Sequence, residues 1–322
     1  MKKIITSVLI LVMAIALVAC KNDKVQEKTS QGETKTYITI TALNGEKEEI
    51  QLEVLYNPQR IAVLDLAALD IIDNIGMGER IVGSADNSIE YLSAYVDNQE
   101  IADLGTIKEA DLEAVFACEP DIIFIGGRLA ASYNALSEIA PVVYLATDTK
   151  NGVVESVNKN AAVIASIFGL EDDVTAKTAD FTSRIDELRK ISDGRTALVG
   201  MTTSGSFNLL GNDGRCSIIG REAGFNNLTS AAGTASHGNE ASFETILNQN
   251  PDYIFVMDRD SAIGTAGTRF AKEIMENELV KSTEAYKNGR IIYLENPAVW
   301  YTAEGGITAL DIMLKDLEKG LN

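Results

Sequence analysis

DLEAVFACEPDIIFIGGR, at residues 111–128, returns in altered form as SFETILNQNPDYIFVMDR at residues 242–259. The two copies share a glutamate near the start, a Pro-Asp pair before an apolar run, and a final arginine. Each copy is typical of a helix followed by a buried strand, which is one αβ unit of a parallel sheet. The repeat therefore predicts two α/β lobes that carry one copy each, with chance similarity between generic αβ units as the alternative.

The rest of the chain continues the same alternation of short apolar strands and helices. Residues 37–56 alternate around Asn44-Gly45, a strong signal for a β-hairpin. We expect a first lobe at residues 37–155, a linking helical segment at residues 156–193 and a second lobe at residues 194–322.

The linking segment is expected to contain one long helix. Apolar residues recur there at helical spacing, at Val174, Phe181, Ile185 and Leu188. A helix from Asp172 to Ser192 would be about 31 Å long at ~1.5 Å per residue. The predicted fold class is therefore α/β, with two Rossmann-like lobes joined by a single long helix.

The N-terminus has the features of an export signal. Two lysines precede an apolar run that ends at Leu17-Val18-Ala19-Cys20, which resembles the cleavage box of bacterial lipoproteins. This pattern predicts a signal peptide at residues 1–19 and a lipid on Cys20, with a plain signal anchor as the alternative. The polar residues 20–36 are expected to form a flexible tether. We therefore expect a lipid-anchored protein on the extracytoplasmic face of a bacterial cell membrane.

Composition excludes several classes of function. The 322 residues carry a formal charge of −19, so nucleic acid is not an expected partner. The sequence contains no nucleophile elbow, P-loop, dinucleotide fingerprint or HExxH motif, so we expect no enzyme and no cofactor. One histidine cannot build a transition-metal site alone. Cys118 and Cys216 are interpreted as buried thiols, with a disulfide as the alternative.

Three arginines are candidates for anion binding. Arg128 and Arg259 each follow a predicted strand, and ligands of α/β sheets bind beyond the carboxyl ends of strands. Arg215 follows a Gly-Asn-Asp-Gly turn and is expected on the same side. Because arginine stays ionised and offers several donors, three of them in an acidic protein predict an anion with several acceptor oxygens. A solvated surface charge is the alternative for each one alone.

Two further residues are candidates for completing a metal coordination shell that a ligand mostly supplies. His237 lies in the polar loop TASHGNEASFE, and Tyr301 follows the last predicted strand in ENPAVWYTAEGG. Trp300, beside Tyr301, is expected at the same site. The alternatives are a surface histidine and packing aromatic side chains.

The segments HGNEASFE, NPDYIFVMDR and YLENPAVWYTAEGG, together with the two-lobe pattern, resemble the iron–siderophore substrate-binding lipoproteins of ABC importers. Within this group the chain is similar to the catecholate or petrobactin type. The resemblance implies the class III periplasmic-binding-protein fold and a ferric siderophore as ligand, held by Arg128, Arg215 and Arg259. It also implies that His237 and Tyr301 coordinate iron when the siderophore leaves positions open.

The resemblance further implies a partner for the two repeated glutamates. In this family one acidic residue on each lobe pairs with arginines of a dimeric permease, and Glu113 and Glu244 match those positions. We expect a monomer that closes only slightly, because a rigid linking helix lacks the loop hinges of large rotations. Binding of haem, cobalamin or another anionic iron chelate, and an adhesive surface lipoprotein, are the alternatives.

Overall fold

The computed structural model describes residues 25–30, 33–229, 235, 237–265 and 270–321. The expected signal peptide and Cys20 lie outside this range. The described residues form two sheets with helices packed around them.

The first lobe contains an eight-stranded sheet. Its strands are β1 (Val25–Ser30), β2 (Glu33–Leu43), β3 (Glu49–Leu55), β4 (Ile61–Val63), β5 (Ile81–Asp86), β6 (Ala102–Thr106), β7 (Ile122–Ile125) and β8 (Val142–Tyr144). They lie in the order β1-β2-β8-β7-β4-β5-β6, and β3 pairs with β2. The four strands β8-β7-β4-β5 and their neighbour β6 are parallel, as expected for βα units.

The N-terminal hairpin follows the sequence prediction and then extends beyond it. β2 and β3 pair antiparallel, and the Asn44 side chain accepts hydrogen bonds from the backbone N–H groups of Glu46 and Glu48 in the turn. The tether prediction is wrong for residues 25–30 and 33–36, because β1 pairs with β2. Lys28 contributes to this pairing, since it forms an ion pair with Glu53 and lies 5.0 Å from the ring centre of Tyr37.

The second lobe contains a six-stranded sheet in the order β12-β10-β9-β13-β14, with β11 on β9. Its strands are β9 (Thr196–Thr203), β10 (Ser206–Leu209), β11 (Asn226–Asn227), β12 (Asn239–Glu240), β13 (Tyr253–Asp258) and β14 (Ile291–Tyr293). β9, β13 and β14 are parallel, so their carboxyl ends meet at one edge. That edge faces the first lobe, because Tyr301, which follows β14, contacts Arg128 there.

The helices of the described residues cover both sheets and connect the lobes. They are α1 (Leu66–Asn74), α2 (Ala94–Asp97), α3 (Leu112–Ala117), α4 (Tyr133–Ser137), α5 (Val153–Phe168), α6 (Glu171–Thr178), α7 (Phe181–Ser192), α8 (Ser217–Arg221), α9 (Phe243–Gln249), α10 (Arg259–Ala262), α11 (Ala271–Met275), α12 (Glu278–Lys281), α13 (Glu284–Lys287) and α14 (Ile307–Leu321). A π-helical turn at Val299–Ala303 precedes α14.

The prediction of one continuous helix from Asp172 to Ser192 is wrong, because α6 and α7 are separate helices. The hydroxyls of Thr178 and Ser183 bond nearby backbone carbonyls on either side of the break, and such side chains compete with helical hydrogen bonds. The longest helix of the connection is instead α5, which ends at Gly169 in the left-handed conformation typical of a helix C-terminus.

The repeated sequence has the same structural role in both lobes. Glu119 and Asn250 occupy equivalent positions and both have positive φ angles, 44° and 42°. Asp121 accepts hydrogen bonds from backbone N–H groups just before β4, and Asp252 accepts one from the N–H group at the start of β9. The aspartate of each repeat therefore fixes the start of the neighbouring parallel strand, β4 or β9. The strand of the repeat itself, β7 or β13, runs toward the cleft between the lobes.

A buried carboxylate joins the two lobes. Asp70, on α1 and 0% exposed, accepts hydrogen bonds from the backbone N–H groups of Thr308 and Ala309 at 2.9 and 2.8 Å. Tyr91 and Asn74 donate to the same carboxylate at 2.7 and 3.0 Å. Because α14 follows the last strand of the second lobe, this capping contact couples the lobes through the N-terminus of α14.

Candidate functional site

Tyr301 lies at the centre of three arginines. Its side chain sits in the π-helical turn and is 4% exposed. The guanidinium carbon of Arg215 lies 4.4 Å from the centre of the ring, and that of Arg259 lies 5.6 Å away. Arg259 Nε donates to the phenol oxygen at 3.2 Å, and Arg128 Nη2 donates to the Tyr301 carbonyl at 2.9 Å. The structure thus brings together all four of these predicted residues.

The secondary structure explains why these side chains meet. Arg128 follows β7 in the first lobe, and Arg259 is the first residue of α10, directly after β13. Arg215 precedes Cys216, whose φ of 59° turns the chain into α8, and its Nε lies 3.4 Å from the Tyr301 carbonyl. The two lobes therefore place three arginines around Tyr301, two beside its ring and one on its backbone carbonyl, an arrangement suited to an anion.

A cavity of about 270 Å³ opens beside this group. Both lobes line it: Asp65, Arg128 and Thr147 come from the first, and Arg215, Tyr301, Thr302 and Glu304 come from the second. Arg259 reaches the phenol of Tyr301 but does not line the cavity itself. Each lobe thus contributes one arginine to the cavity, Arg128 or Arg215, and both arginines contact the backbone carbonyl of Tyr301.

Burial and like charges perturb the ionisable groups of this cavity. Burial lowers the pKa of Arg128, and the nearby Arg215 lowers it further. Burial raises the pKa of Glu304 to about 7, although Arg215 opposes this. Burial also raises the pKa of Asp65, whose side chain caps α1 at the Ala68 N–H group. The cavity therefore combines one desolvated arginine, Arg128, with two acids whose ionised forms are disfavoured by burial.

His237 lies close enough to the arginines for their positive charge to affect its pKa. Partial burial lowers its pKa, and Arg259, Arg215 and Lys108 lower it further. The imidazole is exposed, and Asn208 donates to its backbone carbonyl at 2.8 Å. A neutral imidazole is the form that binds metal. Its use as an iron ligand remains a prediction, and it does not line the cavity.

The prediction that Trp300 contacts a ligand is wrong. Its side chain is 0% exposed, and its indole N–H donates to Asp316 on α14 at 2.8 Å. Asp316 also accepts hydrogen bonds from the backbone N–H group and the side chain of Asn296. Trp300 therefore anchors the π-helical turn to α14 and so positions Tyr301 from behind.

Glu113 and Glu244 lie on the outer surface of their lobes. Each is in the first turn of its helix, behind Asp111 and Ser242, whose side chains accept the hydrogen bonds that cap the two helices. Both glutamates are exposed, and no ion pair engages either one among the described residues. Their matching positions leave two carboxylates available to a partner.

Glu304 and Asp65 were not among the residues predicted for the site. Asp65 follows β4, so the rule that selected Arg128 from the end of β7 also selects it. Glu304 carries no such signal, because it lies in the loop between the π-helical turn and α14. Its place on the cavity wall depends on how that turn packs.

Three further features of the described residues concern metal-binding clusters, disulfides and membrane-spanning helices. No group of three or more His, Cys, Asp or Glu side chains with metal-binding geometry occurs in the described part of the chain. Cys118 and Cys216 are both free and buried, which confirms their interpretation as thiols. None of the described helices has the length and apolar character needed to cross a bilayer.

Comparisons with known proteins agree with this architecture. A family model described as periplasmic binding protein matches residues 61–298. The petrobactin-binding protein YclQ of Bacillus subtilis (strain 168) is 33% identical over 324 residues, which cover 100% of this chain and 99% of that protein. Its crystal structure matches with a TM-score of 0.80 and 32% identity, over 88% of this chain and 99% of that one.

A second similar structure is that of a protein named for binding catecholate siderophores. The periplasmic catecholate-siderophore binding protein VctP from Vibrio cholerae matches with a TM-score of 0.79 and 30% identity. The match covers 87% of this chain and 99% of that one. The first of these similar proteins is thus named for binding petrobactin and the second for binding catecholate siderophores.

Proposed function

The chain belongs to the periplasmic binding protein family, and from this membership we propose that it captures ferric siderophores of the catecholate type outside the cytoplasm and delivers them to an ABC permease. The observation that carries the proposal is the convergence of Arg128, Arg215 and Arg259 on Tyr301 between the two lobes. A ferric tris-catecholate is a trianion with many acceptor oxygens. Forked guanidinium donors in a desolvated cavity match that charge and geometry.

The distribution of charge favours selective capture of such an anion. The chain carries a net charge of −19, so its surface offers little general attraction to anions. The positive charges that line the cavity belong to Arg128 and Arg215, and burial makes their interaction with a bound anion stronger than on the surface. Capture therefore depends on the cleft, and the protein acts by binding and not by catalysis.

Direct coordination of iron is part of the proposal. In the free protein the Tyr301 phenol accepts a hydrogen bond from Arg259. We expect the same phenol oxygen to bind iron directly when the siderophore leaves a coordination position open. His237, neutral at physiological pH, supplies the second ligand when a tetradentate siderophore leaves two positions open.

The proposal also includes a lipid anchor in the cell membrane and a contact with the permease. A lipid on Cys20 holds the monomer to the outer face of the cell membrane, and Glu113 and Glu244 present one carboxylate per lobe to a dimeric permease. Support comes from the equivalent positions of the two glutamates in the repeat and from their exposure.

The test is calorimetric titration with the iron(III) complex of a synthetic hexadentate tris-catechol chelator. Arg215→Gln removes one charge-assisted interaction of ~1.5–3 kcal/mol, so the affinity should fall about 10- to 150-fold. Arg195→Gln is the matched control, because Arg195 is 46% exposed and pairs with Asp252 at the opposite end of the sheet. Equal affinity of the wild type and Arg215→Gln would contradict an anion site at this cleft.

A further inference from the structure

Glu304 has a carboxylate oxygen without a hydrogen-bond donor on the wall of the arginine cavity. Its Oε1 is buried and accepts no hydrogen bond from any described residue. The backbone N–H group of Cys216 bonds the carboxylate, and Thr147 of the first lobe donates to the Glu304 carbonyl at 3.1 Å. Buried oxygens without a donor are rare, and this one lines the cavity between the lobes.

Charged groups from several elements act on the Glu304 carboxylate. Arg128 follows β7, Arg215 precedes α8, and both favour the ionised carboxylate. Glu222, the residue that follows α8, disfavours it. The other titratable groups nearby are Asp65 at the start of α1, Tyr301 in the π-helical turn and Cys216.

The balance of these groups leaves the Glu304 carboxyl about half ionised at neutral pH. Burial raises its pKa to about 7, Glu222 adds to the rise, and the two arginines limit it. In the free protein the carboxylate thus offsets part of the charge of the arginines. An anion that enters the cavity adds negative charge beside the Glu304 carboxylate and competes with it for the two arginines, and both effects disfavour ionised Glu304.

We propose that Glu304 is a further recognition residue, which takes up one proton from solvent as an anionic chelate enters and then donates its O–H group to a ligand oxygen. The proton binds to the carboxylate, and no other bond forms or breaks. This inference rests on the proposed function, because it requires an anionic ligand. It selects for chelates with an oxygen acceptor at this wall, such as a phenolate or carboxylate oxygen.

Proton uptake makes binding depend on pH. Free Glu304 is about 90% ionised at pH 8 and about 10% ionised at pH 6, given a pKa of about 7. The complex should therefore take up about 0.9 proton at pH 8 and about 0.1 at pH 6. By linkage, the affinity should be about tenfold higher at pH 6 than at pH 8.

The experiment is calorimetry at pH 8 in several buffers that differ in ionisation enthalpy, with the same synthetic ferric tris-catecholate as probe. The slope of the observed enthalpy against buffer ionisation enthalpy gives the number of protons taken up. Glu304→Gln should lose about 0.9 proton relative to the wild type. Glu138→Gln removes the same charge from an exposed position outside the cavity and should keep the wild-type value.

The ordinary pKa of a histidine lies near neutrality, so His237→Gln must retain the uptake at pH 8 if Glu304 is the acceptor. If Glu304→Gln does not fold, proton uptake by His237→Gln is measured at both pH values instead. A fall from about 0.9 proton at pH 8 to about 0.1 at pH 6 supports the inference, and the absence of this fall overturns it. Binding with equal uptake in the wild type and Glu304→Gln overturns the inference and leaves the proposed function intact. Failure of the wild type to bind the ferric tris-catecholate overturns both.

Discussion

Replacement of Glu304 by glutamine should stabilise the free protein, and the gain should grow with pH. Folding raises the pKa of this carboxyl from 4.5 to about 7, chiefly through burial. The folded state therefore favours the protonated acid, so the contribution of Glu304 to stability is fully present below pH 4.5 and is lost as the pH rises through 7. Glutamine has a similar shape and stays neutral throughout.

The size of the effect follows from the shift. At ~1.36 kcal/mol for each pH unit, the rise of the pKa from 4.5 to about 7 corresponds to about 3 kcal/mol in the free energy of unfolding. Glu304→Gln should exceed the wild type by about 1 kcal/mol at pH 5, about 2 kcal/mol at pH 6 and about 3 kcal/mol at pH 8.

Urea unfolding followed by the fluorescence of Trp300, the single tryptophan, measures this difference at each pH. The control is Glu138→Gln, whose exposed carboxylate should give a small difference that does not vary with pH in this way. A stability difference for Glu304→Gln that stays constant from pH 5 to pH 8 would contradict a raised pKa, since it would mean that Glu304 titrates as in the unfolded chain.

Three further predictions concern the lobes, the metal and the partner. Asp70→Ala leaves the N–H groups at the start of α14 and two side-chain donors without their acceptor, so urea unfolding should show a loss of about 3–5 kcal/mol; a loss below 1 kcal/mol would contradict the coupling of the lobes. His237→Ala should weaken binding of a tetradentate ferric catecholate in fluorescence titrations and leave a hexadentate one unchanged; equal effects on both would remove the metal-ligand role. Glu113→Ala and Glu244→Ala should preserve siderophore affinity and together suppress uptake of radioactive iron by whole cells; uptake at the wild-type rate would refute the permease contact.

The fold class was predictable because the repeat and the alternation of apolar runs are local patterns. The prediction of two α/β lobes of class III is confirmed by the two sheets and by the similar solved structures. The repeated Pro-Asp pairs mark real equivalence, since Asp121 and Asp252 bond the starts of matching strands. The periodicity of apolar residues did not mark the break between α6 and α7, where local hydroxyl groups bond the backbone, or the pairing of β1 with β2.

The arrangement of the candidate site was only partly predictable. The rule that ligands bind beyond strand ends selected Arg128 and Arg259, and the structure places both against Tyr301. The same rule gave no information on side-chain direction, so Trp300 was expected beside a ligand although it packs against Asp316. Glu304 was missed because its burial arises from the π-helical turn, which has no sequence signal of its own.

The most direct test of ferric-siderophore capture is a ligand titration of the purified protein followed by Trp300 fluorescence, because Trp300 adjoins Tyr301. Ferric catecholates, haem and cobalamin would be compared in the wild type and in Arg128→Gln/Arg215→Gln. We expect saturable quenching at one ferric catecholate per protein, strongly weakened in the double variant, and no comparable response to haem or cobalamin. A response to haem or cobalamin without one to ferric catecholates, or equal binding by the double variant, would contradict capture of ferric siderophores in this cleft.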